Sequence, residues 1–332
     1  MISVPAGLGP AVDAVVAQDG SGDFLNVSAA LQNVPANRAQ GRRYVIYIKA
    51  GIYQEVLLVP TSHTNLSLIG DGIGRTIITG NRSVGSGLFN TLTSAIVHVA
   101  ADGFFSRGIT FRNTAGPQGM QAVAMLARGD MTVFHNCSFE GYQDILWAFA
   151  GRYFFRDCTI SGTIDFIFGD ATAVFQNCEL VARLPLKGQQ NAFTAQGRSR
   201  AAENTEFVFH NCRLSAEGAL LHNTAFPVAT YLGRPWQDFS RVVFLQCHMD
   251  ALVHPAGWLA WNASNPFTST LFYGEFQNRG PGAAIQQRVL WKGLHSSMTL
   301  DQAVSFSVLN FLKGDTWLSS FPVPFDLNLT TT

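Results

Sequence analysis

The chain has 332 residues, of which 47% are hydrophobic and 13% charged, and its 22 basic side chains balance 22 acidic ones. Zero net charge without a basic run excludes the electrostatic footprint of a nucleic-acid binder. The low charge and 31 glycines exclude a disordered chain or a helical bundle, and no apolar stretch reaches the ~18 residues of a transmembrane helix.

Residues 15–17 read as a strand, followed by the turn Asp19-Gly20-Ser21-Gly22. Residues 28–34 space Ala29, Leu31 and Val34 as a helix does, and Pro35 stops it. Residues 44–48 are rich in β-branched side chains and read as a strand. Short strands follow at 66–69, 76–78, 96–99 and 109–111, punctuated by Gly and Asn. The stretches 186–200 and 215–232 read as loops, and 300–309 as short helices. The terminal Trp317, Phe321 and Phe325 are expected to pack back onto the body of the molecule, since they would otherwise be exposed.

A repeat runs through the middle. Phe134-His-Asn-Cys137, Phe155-Arg-Asp-Cys158, Phe175-Gln-Asn-Cys178, Phe209-His-Asn-Cys212 and Phe244-Leu-Gln-Cys247 share one pattern, and Phe111-Arg-Asn113 is a copy without its cysteine. Successive cysteines are 21, 20, 34 and 35 residues apart. Short strands at a period of about 20–24 residues read as a β-solenoid, with the longer gaps carrying loops. A sandwich is the alternative; a propeller blade, at about 40 residues, is too long. The fold expected is all-β, a parallel β-helix.

In such a fold, residues one coil apart stack at about 4.8 Å. Asp144 and Asp165 are 21 residues apart and Gln121 and Gln143 are 22 apart, so two carboxyls and two amides gather on one face. Stacked carboxyls cannot both ionise cheaply; one stays protonated as an acid and the other serves as nucleophile or base. The amides can donate to an oxyanion, and Arg234 is a candidate cation to keep one Asp charged. The plain alternative is a polar ladder satisfying turn backbone. The apolar neighbours Ile145, Leu146, Ile164 and Phe166 weigh against it.

Other motifs carry less. Gly197-Arg-Ser199-Arg-Ala201 lacks the context of a serine nucleophile elbow, and Gly70-Asp-Gly72-Ile-Gly74 reads as a tight turn. His254 beside Pro255 reads as structural. Cys137 and Cys158, and likewise Cys178 and Cys212, could stack within disulfide reach; a column of free buried thiols is the alternative. No Cys/His cluster has zinc spacing. The start lacks a signal peptide's charged and apolar regions. Six acceptor sequons, at Asn26, Asn65, Asn81, Asn136, Asn262 and Asn328, favour a processed, secreted chain.

Several motifs, in order, carry a resemblance. They are Gly51-Ile-Tyr-Gln-Glu55, Asn113-Thr-Ala-Gly-Pro117, Gln121-Ala-Val-Ala124, Glu140-Gly-Tyr-Gln-Asp144, Gly162-Thr-Ile-Asp165-Phe-Ile-Phe-Gly169, Leu232-Gly-Arg-Pro-Trp236 and Pro255-Ala-Gly-Trp258. With these the chain resembles the plant-type pectin methylesterases from about residue 12 to about 327. The resemblance implies a right-handed parallel β-helix with short terminal helices and loops, forming one catalytic domain over residues 1–332. It implies hydrolysis of galacturonate methyl esters in pectin, without a cofactor. Asp165 would be the nucleophile, Asp144 the acid and base, Gln121 and Gln143 the oxyanion donors, and Arg234 the partner of Asp165. Trp236, Phe168, Trp147 and Trp258 would contact sugar. Disulfides Cys137–Cys158 and Cys178–Cys212, a cell-wall location, a monomer and a proteinaceous inhibitor are implied as well. The pro-region that many members carry is not recognised in this sequence. The chain departs from the family pattern at Leu88, Met120, Leu126, Ile145 and Phe149, which bears on subsite preference and pH dependence.

Overall fold

The computed structural model describes residues 12–36, 38–39 and 41–330. Its strands form three parallel sheets of 11, 8 and 7 strands. The chain visits them in rotation. Thr132–His135 lies in the long sheet, Ser138–Glu140 in the second and Leu146–Ala148 in the third, and the next coil repeats this with Arg152–Arg156, Thr159–Gly162 and Ile167–Gly169. Coil stacks on coil in register, as in Phe134↔Phe155 and Leu146↔Ile167. The fold is a parallel β-helix, as the repeat implies. No helix is long and apolar enough to cross a membrane among the described residues.

The repeat has a structural meaning at each of its positions. Its phenylalanine points inward, and Phe134, Phe155, Phe175, Phe209 and Phe244 stack through the core with successive ring centres 5.1, 4.3, 4.6 and 4.7 Å apart. Its Asn, Asp or Gln turns the chain from the long sheet to the second with positive φ, as at Asn136 (50°), Asp157 (53°), Asn177 (55°), Asn211 (53°) and Gln246 (54°). Asn and Asp tolerate this left-handed region better than most residues, and Asn211 Nδ2 donates to Asn177 Oδ1 at 2.9 Å along the turn column. A left-handed residue costs about 1–2 kcal/mol at most, whereas burying a Phe contributes about 1.5–3 kcal/mol. Each repeat therefore gains more from its ring than its turn costs.

The cysteines correct an expectation. All five are free, buried thiols, so the disulfides Cys137–Cys158 and Cys178–Cys212 are not formed. The thiols of Cys158, Cys178, Cys212 and Cys247 instead reach carbonyl oxygens at 3.3–3.6 Å, Phe175 O for Cys212 among them. In-register coils hold equivalent Cβ atoms about 4.8 Å apart, wider than the ~3.8 Å a disulfide needs. Burial pushes the Cys137 thiol up to about 11, so it stays protonated.

The N-terminal helix runs Val27–Gln32, with Asn26 Oδ1 accepting from Ala29 N at 2.8 Å as its cap. The strand expected at 15–17 is Ala14–Val16, and Tyr44–Ile48 is a strand as expected. Of the helices expected at 300–309, Leu300–Val304 forms. The tail covers the outer face of the long sheet: Trp317 and Phe321 are buried against Val45, Ile69, Phe105, Val133 and Phe154. Two amides clamp it there. Gln176 exchanges hydrogen bonds of 2.9 Å with the backbone of Asp326, and Gln246 does so with Thr330 at 2.8 and 3.0 Å.

Two expected loops contain strands of the third sheet. Asn191–Gln196 lies within 186–200 and Thr230–Gly233 overlaps the end of 215–232. Their pattern hides because the buried polar residues Asn191, Thr194, Gln196 and Thr230 interrupt the core residues Phe193 and Leu232. Asn191 Nδ2 donates to Arg183 O at 3.0 Å, and Thr194 Oγ1 to Leu232 O at 3.0 Å.

Candidate active site

Strands of the third sheet are three residues long at Leu146–Ala148 and Ile167–Gly169, with one side chain facing outward from each, Trp147 and Phe168. The turn leading into each strand holds an aspartate, Asp144 (φ 59°) and Asp165 (φ 52°). Both carboxyls thus leave a left-handed turn at the same place in successive coils, with the Asp144 amide donating to Ile164 O at 3.1 Å. Strained turns of this kind persist only when the surrounding structure holds them. Here Ile145, Leu146, Phe166 and Ile167 anchor both turns in the core. Gln121 and Gln143 form a parallel bridge on adjacent coils. The structure therefore brings together the two carboxyls and two amides expected from spacing.

Arg234 arrives from the strand Thr230–Gly233. Its amide donates to Thr194 O at 2.9 Å, and its guanidinium grips Asp165 with both prongs, Nε to Oδ1 at 2.8 Å and Nη2 to Oδ2 at 2.7 Å. Asp165 is buried, with 6% of its side chain exposed, and Arg234 is half-buried. A two-pronged, charge-assisted pair of this kind is among the strongest polar contacts. The Trp261 ring lies 4.4 Å from the Arg234 guanidinium carbon and covers it.

Burial pushes both carboxyls up. Asp144 is raised well above the ordinary carboxylate value, first by burial and then by the neighbouring Asp165 charge. Burial also raises Asp165, but the Arg234 hydrogen bonds and charge oppose it. The dyad titrates as a unit, with Asp165 losing its proton first. This order offers one carboxyl that ionises readily beside one that holds its proton.

The carboxyls open into a cleft of ≈ 340 Å³, bordered by Gln121, Gln143, Arg234, Thr91 and Ala195 and walled by Trp147, Phe168, Trp236 and Trp261. Trp147 and Phe168 stack at 4.9 Å, and Trp236 meets them edge-on at 6.4 and 6.0 Å. Gly197 makes room for Trp236: a Cβ there would stand 2.7 Å from the indole. Aromatic walls with a few convergent polar groups suit a sugar ring.

Trp258 is a correction. It is 1% exposed in the core, stacked on Tyr273 at 4.1 Å, with Nε1 donating to Glu275 Oε1 at 3.2 Å. It cannot reach a ligand in the cleft. Trp261, three residues on, takes the wall position, and nothing in the sequence separates the two tryptophans. Among the departures, Ile145 is a core residue, Leu126 is buried beneath the aromatic cluster, and Phe149 packs on Trp147 at 5.4 Å. Leu88 and Met120 are exposed. Five of the sequon asparagines, Asn26, Asn81, Asn136, Asn262 and Asn328, are exposed and Asn65 is half-buried.

Comparisons with known proteins agree on one family. The pectinesterase family model matches residues 13–315. "Pectinesterase 2" of Citrus sinensis is 46% identical over 320 residues, covering 96% of this chain and 61% of the relative. "Probable pectinesterase/pectinesterase inhibitor 17" of Arabidopsis thaliana is 48% identical over 320 residues, covering 96% and 60%. The chain thus spans about three-fifths of the length of these curated relatives. Among solved structures, the pectin methylesterase from carrot superposes with a TM-score of 0.92 at 42% identity, covering 96% of this chain and 98% of that one. An Aspergillus niger pectin methylesterase gives 0.77 at 28%, covering 96% and 97%. The chain belongs to the pectinesterase family.

Proposed function

We propose that the chain hydrolyses methyl esters of galacturonate units in pectin, releasing methanol and leaving free carboxylates. The observation that carries this is the buried Asp165, ion-paired to Arg234, beside the raised Asp144 in a sugar-sized aromatic cleft. The ionised Asp165 attacks the ester carbonyl, and the Gln121 and Gln143 amides donate to the oxyanion. Asp144 gives its proton to the departing methoxide, which leaves as methanol. The acyl group stays on Asp165 as an anhydride. Asp144, now a carboxylate, takes a proton from water, whose oxygen attacks the acyl carbon. Asp165 departs as a carboxylate and Asp144 is again protonated. Both roles of Asp144 require a pKa moved toward the working pH. Trp147, Phe168, Trp236 and Trp261 hold the sugar.

A cell-wall setting follows from the pectin substrate, and a proteinaceous inhibitor as partner is supported by relatives named pectinesterase/pectinesterase inhibitor.

The test separates ester from backbone cleavage. With highly methyl-esterified pectin, methanol should accumulate in step with titratable acid while the polymer's length is unchanged. New reducing ends or unsaturated products without methanol would instead place the chain among backbone-cleaving enzymes.

A further inference from the structure

The motif Asn113-Thr-Ala-Gly-Pro117 takes no part in the chemistry described above, yet it leads straight to Gln121. Asn113 ends the strand Thr110–Asn113 of the second sheet, and the chain then crosses to the third sheet at Met125–Ala127. The crossing is irregular. Gly116 has φ 76°, Pro117–Gly119 makes one short turn, and Met120 has φ 57° and ψ −139°. A residue with a side chain rarely adopts that conformation, and it persists only where its surroundings hold it. Gln121 comes next, so the aim of its side chain depends on a turn that would relax if released.

Asn113 supplies the hold. It is 3% exposed and lies outside the cleft. Its Oδ1 accepts from Ala115 N at 3.0 Å, and its Nδ2 donates to Arg82 O at 2.8 Å and to Val123 O at 3.1 Å. Arg82 belongs to the preceding coil, and Val84, two residues on, donates its amide to Gln121 O at 2.9 Å. A closed circuit results: from the Asn113 side chain to Arg82, along the chain to Val84, across to Gln121, along to Val123 and back to Asn113. The two loops are pressed together, since a Cβ on Gly85 would stand 2.8 Å from Gln118 O. Ser94 adds a second tie. Its Oγ accepts from Val123 N at 3.2 Å and donates to the carbonyl of Thr91, on the cleft's border, at 2.8 Å. On the other side, Ala122 N donates to Gln143 O at 3.1 Å. The circuit therefore anchors both oxyanion amides to the preceding coil. A side-chain amide alone meets the demand of two carbonyls and one N–H at this point; a carboxylate would face both carbonyls with no proton to give.

We propose that Asn113 is a positioning residue, whose bonds to Arg82 and Val123 hold the strained turn at Met120 and so aim the Gln121 amide at the oxyanion formed from the ester. This rests on the esterase reading above.

The experiment measures kcat and KM on highly methyl-esterified pectin for wild type, Asn113→Asp, Gln121→Ala and the double variant. A misplacement of about 1 Å costs on the order of 10²-fold, so kcat of Asn113→Asp should fall about tenfold to a hundredfold near neutral pH. KM should stay near wild type, because the aromatic walls are untouched. The deficit relative to wild type should shrink in acid, where the introduced carboxyl gains a proton and can donate to one carbonyl again. In Gln121→Ala the same substitution should cost little more, because it acts through Gln121. Asn113→Ser, which keeps a single donor, should lose less, and it carries the same cycle if the carboxyl variant does not fold. Equal losses with and without Gln121, or an unchanged kcat with a lowered thermal midpoint, would overturn the proposal. Undiminished methanol release by Gln121→Ala would overturn it while leaving the esterase reading intact. No methanol from any form, wild type included, would remove that reading and the proposal together.

Discussion

Arg234→Ala is expected to lose both turnover and stability. Removing the guanidinium leaves the buried Asp165 carboxyl without its two charge-assisted bonds and strips the cation from beneath Trp261. Breaking one side of a buried pair costs about 3–5 kcal/mol, because the remaining charge is stranded. The carboxyl escapes by taking up a proton. An opposite charge at this range moves a carboxylate by about 1–3 pKa units, so its loss should raise the Asp165 pKa by that much and cut the ionised nucleophile, by about tenfold to a thousandfold below the wild-type pKa and by less as pH rises. Thermal unfolding and methanol release measured across pH check both. The variant's stability deficit should shrink in acid, where Asp165 is protonated in any case, and its activity should recover partly at higher pH. Wild-type activity at neutral pH would show that Arg234 is not what keeps Asp165 charged.

Asp144→Asn should separate activity from stability. Without the acid that protonates methoxide and the base that activates water, turnover should fall about 10²–10⁴-fold. Stability should move the other way. The folded-state pKa of Asp144 is raised above its unfolded value of about 3.9. A raised carboxyl binds its proton more tightly folded than unfolded, so wild type loses stability as pH climbs from about 4 through the folded pKa. Asparagine has no proton to lose. The variant should therefore melt above wild type at neutral pH, and the gap should close toward pH 4. A gap independent of pH would mean that Asp144 is not raised by its surroundings.

The repeat was legible because three physical demands recur at fixed positions: a ring for the core, a residue that accepts positive φ, and a small buried group. That was enough to align Asp144 with Asp165 and Gln121 with Gln143 before any coordinates. Arg234 came only from its motif, since its partner lies 69 residues away in sequence and no periodicity links them. The strands Asn191–Gln196 and Thr230–Gly233 read as loops because buried polar residues interrupt Phe193 and Leu232, and polar groups bonded to distant carbonyls carry no local signature. Trp258 and Trp261 show the same limit. Both are tryptophans in one short stretch, and which one meets the core depends on Tyr273 and Glu275, contributed by the next coil. The cysteine column erred in a different way. Spacing placed the thiols on successive coils correctly, but stacking distance and bonding distance differ by about 1 Å, below what a repeat period resolves.

The central claim is that Asp165 performs the displacement on a uronate methyl ester, and methanol release by wild type and Asp165→Ala tests it most directly. The expected result is steady release by wild type and none by a folded Asp165→Ala on the same highly esterified pectin. Release that persists in the variant would contradict the assignment of Asp165 as nucleophile, and with it the division of labour drawn for the dyad.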